Sequence, residues 1–162
     1  VSRERYMERC RLKTAMLFRA ACELGARAGG LDGAAVAGLG AFGERIGLAF
    51  QLFDDVLDVT GPPERTGKPR GADLLDGTVT LPLIVARERQ RELDGLDLTA
   101  VRTPEQALGV CQLIAGSCAL AAVREEALAL VADAKAVLPD ALNPAQRGAL
   151  ELVADGVVER YS

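Results

Sequence analysis

From Gly33 to Val59 or Thr60 the chain carries no proline, and this uninterrupted stretch constrains the fold more than any other. Asp32, just ahead of it, is an N-cap residue whose carboxylate can accept a hydrogen bond from a first-turn N–H. The run predicts one helix of roughly 28 residues, about 42 Å long at 1.5 Å per residue. Gly38, Gly40, Gly43 and Gly47 weaken its helical propensity by up to about 1 kcal/mol each, a cost that makes sense if neighbouring helices approach its backbone closely. Such a helix belongs in the middle of a bundle.

The flanking segments are also helical in period. From about Arg5 to Ala28, Met7, Cys10, Thr14, Leu17, Ala21 and Leu24 recur at three and four, marking the apolar face of a first helix that Gly29-Gly30 ends. Gly61-Pro62-Pro63 stops the long helix, and residues 61–79 hold four glycines, three prolines and alternating charges, which reads as a long functional loop. Thr80 followed by Leu81-Pro82 opens a helix to about Arg91. Thr103-Pro104 opens another, Gly116-Ser117 interrupts it, and the pattern resumes to about Leu138. Asn143-Pro144 starts a last helix that reaches Arg160. Aromatics make up 4% of the chain and tryptophan is absent, so strand-forming material is scarce. The expectation is an all-α antiparallel helix bundle in a single domain spanning residues 1–162, built on six helices. The chain begins at Val1, already inside a polar helical pattern with no capping sequence, which reads as a piece of something longer.

Composition excludes several kinds of chemistry. There is no histidine, which removes the commonest general base, the usual zinc ligand and every Ser-His or Cys-His nucleophile. The formal charge is −4 and lysines and arginines are scattered, so nucleic acid is not a favoured partner. Cys10, Cys22, Cys111 and Cys118 show no CxxC spacing and sit in apolar helical patterns, where cysteine behaves as a small buried hydrophobe. Without a signal peptide the default compartment is the reducing cytoplasm. The longest apolar stretch, Gly33 to Phe53, contains Glu44 and Arg45, so it reads as a core helix rather than a transmembrane segment.

Within the long helix, Gln51, Asp54, Asp55 and Asp58 fall at i, i+3, i+4 and i+7, one face of the cylinder, while Leu48, Phe50, Leu52, Phe53, Val56, Leu57 and Val59 cover the rest. Carboxylates held this close raise one another's pKa unless cations intervene. An oxygen-only donor set suits Mg²⁺, with Mn²⁺ as the alternative, and magnesium completes its octahedron with water and phosphate oxygens. The stripe therefore implies a phosphorylated substrate as well as a metal. The competing interpretation is an acidic surface stripe that supports ion pairs. Lys13-Thr14 lies mid-helix and Lys68 lies in the loop, so both could offer ammonium groups to a diphosphate; taken singly, each is an ordinary solvated lysine. The loop is not a Walker A motif, because five residues separate Gly61 from Gly67 and Pro69 occupies the Ser/Thr position.

Taken together, RLKTAMLFRAACELGA (11–26), GLAFQLFDDVLDVTG (47–61) and TGKPRGADLLDGTVTLP (66–82) resemble the C-terminal half of the trans-isoprenyl diphosphate synthases, the polyprenyl synthetase family, and LELVADGVVER (150–160) resembles its closing segment. The resemblance implies the isoprenoid synthase fold and condensation of isopentenyl diphosphate with an allylic diphosphate. It implies that Asp54, Asp55 and Asp58 form the second aspartate-rich motif, with Asp54 the direct Mg²⁺ ligand and the others acting partly through water. Gln51 matches the family glutamine of that face. Lys13 and Thr14 match the Lys-Thr pair at the allylic diphosphate, and Lys68 the loop lysine that joins it on closure. It also implies a homodimer, or pairing with an N-terminal half or a synthase subunit.

Two departures stand out. Thr78 occupies a position where the family usually has lysine, and the first aspartate-rich motif belongs to an N-terminal half that this sequence does not contain. The chain alone is therefore expected to be incomplete and inactive. The alternatives are a non-catalytic small subunit that modulates an active synthase, and a class I terpene cyclase, against which the loop motif argues. Product length is not legible in these residues.

Overall fold

The computed structural model describes residues 1–62 and 67–161, and every regular element among them is helical. In chain order these are α1 (Arg3–Cys10), a π-helical turn (Arg11–Ala15), α2 (Met16–Ala28), α3 (Gly33–Thr60), α4 (Ala72–Leu75), α5 (Leu81–Arg87) and α6 (Arg91–Asp94). A 3₁₀ turn (Leu98–Ala100) follows, then α7 (Pro104–Ala115), α8 (Ala119–Ala136) and α9 (Pro144–Arg160). The chain divides into two compact units, Val1–Tyr6 with Leu52–Glu125, and Met7–Gln51 with Glu126–Ser162. Helices α1, α3 and α8 contribute residues to each. Among the described residues, no single helix is long and apolar enough to cross a membrane.

In the unit built on residues 7–51 and 126–162, α2 lies against the glycines of α3. A Cβ added to Gly43 would stand 2.5 Å from the Phe18 carbonyl oxygen, and one added to Gly47 would stand 2.6 Å from Ala15 Cα, so glycine is required for this approach. The N-terminus of α3 is capped as its sequence implies, the Ala35 N–H donating to Asp32 Oδ1 at 2.8 Å. Asn143 begins α9 with a reciprocal capping box to Gln146.

The face expected for the first helix needs correction. Leu17, Ala21 and Leu24 are exposed, and the inward positions after Cys10 are Ala15, Phe18, Cys22 and Ala26. The cause is the π turn: the Met16 N–H reaches back five residues to the Arg11 carbonyl, adding one residue to that turn and advancing the buried face by one position.

In the unit built on residues 1–6 and 52–125, α3 ends at Thr60. The 61–79 segment was expected to lack helical structure; instead it contains α4, entered from Gly71 in the left-handed region at φ 71°. Pro63 and Thr66 belong to stretch 63–66, which lies outside the described residues. The helix expected to reach Arg91 ends at Arg87, whose guanidinium donates to the carbonyls of Leu93 and Leu96 and draws the following turn back over the helix end. Thr103 caps α7 with a capping box to Gln106, and the break at Gly116-Ser117 separates α7 from α8, which ends at Ala136 rather than near Leu138. Cys10 and Cys111 are buried and Cys22 half-buried, but Cys118 is exposed, because it lies in the break ahead of α8 rather than on a core face.

Candidate functional site

The acidic face is assembled by packing. α3 is held on its apolar sides by Leu52, Phe53, Val56 and Val59, all nearly or fully buried, and this turns two of its three aspartates inward. Asp55 is 2% exposed and Asp58 4%, whereas Asp54 is half-buried. A solvated acidic stripe would leave all three in water.

Each inward carboxylate has protein partners. Asp55 Oδ2 accepts from the Tyr6 hydroxyl at 2.7 Å and from the Leu81 backbone N–H at 3.3 Å. Asp58 ties down the loop: its carbonyl accepts the Gly71 N–H at 2.9 Å, and its Oδ2 accepts the Asp73 N–H at 3.4 Å. Lys68 Nζ stands 3.0 Å from Asp58 Oδ1, an ion-pair distance without the alignment of a good hydrogen bond, and 3.7 Å from Asp73 Oδ1. Burial, then the charge of Asp73, pushes the Asp58 carboxyl above its ordinary value, and Lys68 opposes this only in part. Burial works to lower Lys68, but Asp58 first, then Asp73 and Asp54, outweigh it and hold the ammonium above its usual range.

One ammonium thus leaves the acidic face short of positive charge. Among the described residues no group of three or more Asp, Glu, Cys or His side chains is arranged to hold a metal by itself. One or two oxygen donors with an unmet demand for positive charge suit a hard divalent cation that takes its other ligands from water and phosphate.

The other candidates lie on the second unit. Thr14 Oγ1 donates to Gln51 Oε1 at 3.1 Å, joining the π turn to α3, and Lys13, in the same turn, is exposed. Sequence reading missed Tyr6, Asp73 and the Leu81 amide. Asp73 was legible as an acidic residue in the glycine-rich loop. Tyr6 had a fainter signal: it is the one aromatic in a polar N-terminal stretch, yet it is fully buried.

Residues 1–110 match the family model described as polyprenyl synthetase. Geranylfarnesyl diphosphate synthase of Natronomonas pharaonis is 36% identical over 160 residues, 99% of this chain and 47% of that protein. Heptaprenyl diphosphate synthase component 2 of Geobacillus stearothermophilus is 49% identical over 86 residues, 53% of this chain and 27% of that protein. The crystal structure of a Caulobacter crescentus polyprenyl synthase, complexed with calcium and isoprenyl diphosphate, superposes with a TM-score of 0.90 at 38% identity, covering 100% of this chain and 51% of that one. The matched region is thus about half or less of each of these proteins. The chain belongs to the polyprenyl synthetase family and has the all-α fold of the isoprenoid synthases.

Proposed function

We propose that this chain, residues 1–162 read as one all-α domain, supplies the C-terminal part of a trans-prenyltransferase that condenses isopentenyl diphosphate with an allylic diphosphate. The observation that carries this reading is the loop lysine folded onto the acidic face, Lys68 standing 3.0 Å from Asp58. In the proposed reaction the allylic C–O bond breaks and its electron pair leaves with the diphosphate. The double bond of isopentenyl diphosphate then forms the new C–C bond, and the departing diphosphate takes the proton lost. Bound Mg²⁺, or Mn²⁺, would stabilise the charge that builds on the leaving group. Calcium in the related Caulobacter complex supports a hard divalent cation for this role.

Within this reading the protein positions charge in advance, where charge develops in the transition state. Asp54, the least buried of the three, offers the direct metal contact; Asp55 and Asp58 take part through water and through the groups they orient. Lys68 would neutralise the diphosphate held at the acidic face; Lys13, Thr14 and Gln51, on the other unit, are by the family resemblance diphosphate-binding residues as well. The apolar sides of α3 keep water from the allylic cation. Partners are the two diphosphates and either a second copy of the chain or the remaining half of the synthase, in the cytoplasm. A second reading is favoured by the relative named as component 2: the chain belongs to a two-component synthase whose partner completes it.

The test uses the complete protein. Removing divalent cations with EDTA is expected to stop chain elongation and added Mg²⁺ to restore it. Turnover that persists without metal would overturn the mechanism. Elongation requiring a separately expressed second polypeptide would select the two-component reading.

A further inference from the structure

We infer that Tyr6 is a positioning residue for the acidic face, acting through Asp55; the inference rests on the prenyltransferase reading and adds to it a residue from a different helix. Tyr6 is fully buried, and its hydroxyl donates to Asp55 Oδ2 at 2.7 Å. A buried phenol commonly finds a hydrogen-bond partner. Here the partner is a carboxylate, and the contact has the short length of a charge-assisted bond.

The same oxygen accepts the Leu81 N–H at 3.3 Å, so α1, α3 and the start of α5 meet on one atom. Thr80 precedes α5 without capping it by its side chain, and Pro82 has no N–H. Leu81 therefore offers the first orphan amide of that helix, and Asp55 provides an acceptor for it from α3.

The consequence reaches Asp54 and Asp58. At 3.6 residues per turn, Asp54 and Asp55 leave α3 about 100° apart, while Asp54 and Asp58 leave it about 40° apart. Holding Asp55 between a phenol and an amide fixes the roll of α3 about its own axis. That roll decides where Asp54 and Asp58 present their oxygens.

The experiment compares Tyr6→Phe, Asp55→Ala and the double variant in the complete protein. Tyr6→Phe keeps the ring and deletes only the donor. It is expected to lower kcat about tenfold while KM for isopentenyl diphosphate moves less than twofold. The Mg²⁺ concentration for half-saturation, measured by calorimetry with inorganic pyrophosphate present, should rise about tenfold, and exchange of the Leu81 amide should accelerate.

In the Asp55→Ala background, adding Tyr6→Phe should change each quantity less than twofold, because residues acting as one unit are not additive. Asp55→Asn, which keeps an acceptor oxygen, should lose less than Asp55→Ala. Tyr6→Phe leaving kcat and magnesium half-saturation within twofold, or effects that multiply in the Asp55→Ala background, would overturn the inference. If the complete protein elongates no allylic diphosphate, the prenyltransferase reading falls, and the calorimetric coupling and Leu81 exchange judge Tyr6 alone.

Discussion

The two ends of α3 are positioned by opposite means. Toward its N-terminus the helix is placed by side chains it lacks: the Phe18 carbonyl and Ala15 occupy the space where Gly43 and Gly47 would carry a Cβ. Toward its C-terminus it is placed by side chains it has, Asp55 reaching Tyr6 and Leu81, and Asp58 reaching Lys68 and Asp73. Steric placement fails when an atom is added, and polar placement fails when one is removed. A single helix can therefore be broken in two distinguishable ways, one seen first in stability and the other first in function.

The largest expected effect lies at the acidic end. Asp54→Ala in the complete protein should reduce kcat by about 10²–10³-fold, the order lost when one charge-stabilising group is removed from a preorganised site. Its far-UV circular dichroism should be nearly unchanged, since Asp54 is only half-buried. Wild-type turnover would erase the functional half of the contrast.

At the glycine end, Gly43→Ala should destabilise by about 1–3 kcal/mol, the usual penalty for overfilling a packed interior. Gly109→Ala on α7, where an added Cβ meets nothing within 4 Å, should instead stabilise by up to about 1 kcal/mol. Urea titrations of the two variants give the sign directly; equal shifts would mean that close approach is not what glycine provides at position 43.

Lys68→Met should cost less than about 1 kcal/mol of stability, because the ammonium is partly exposed and screened, while driving the Asp58 carboxyl further upward. A carboxyl raised in this way opposes folding once ionised, so the loss should appear as pH rises through its folded value and be smaller in acid. A loss largest below the ordinary carboxylate range would contradict that sign.

The smallest effect concerns the thiols that report on each end. Burial first, then the charge of Asp58, raises Cys111 to about 11 from its ordinary 9.0, and burial raises Cys22, which abuts Gly43. With the folded value above the unfolded one, the contribution of Cys111 to stability is complete below pH 9.0 and lost as pH rises through about 11. At pH 8, iodoacetamide should label exposed Cys118 well before Cys111, as mass spectrometry of native protein would record.

Local signals read well in this sequence. The limits of α3, its Asp32 cap, and the starts of α7 and α9 at Thr103 and Asn143 follow from capping chemistry confined to a few residues. The spacing of Asp54, Asp55 and Asp58 marked them as one helix face, and packing of the apolar residues on the other sides turns Asp55 and Asp58 inward. What escaped was non-local or off-period. Tyr6 lies 49 residues from Asp55, and no spacing rule links them. The exposure of Leu17, Ala21 and Leu24 escaped because a 3.6-residue template cannot register one widened turn. The short α4 escaped because four residues are too few to display a period.

The widened turn has a consequence for how this chain tolerates length changes. Deleting one residue between Arg11 and Ala15 would restore regular pitch with α2 still in phase, whereas regular pitch at the present length would swing the whole of α2 by about 100° relative to Cys10. Ala15, Phe18 and Cys22 would leave the glycines of α3 as Leu17, Ala21 and Leu24 turned inward, and Thr14 would lose its bearing on Gln51. The π turn works as a phase adjuster: it absorbs one residue more than regular pitch needs, so that residue can be lost together with the widening but not kept without it.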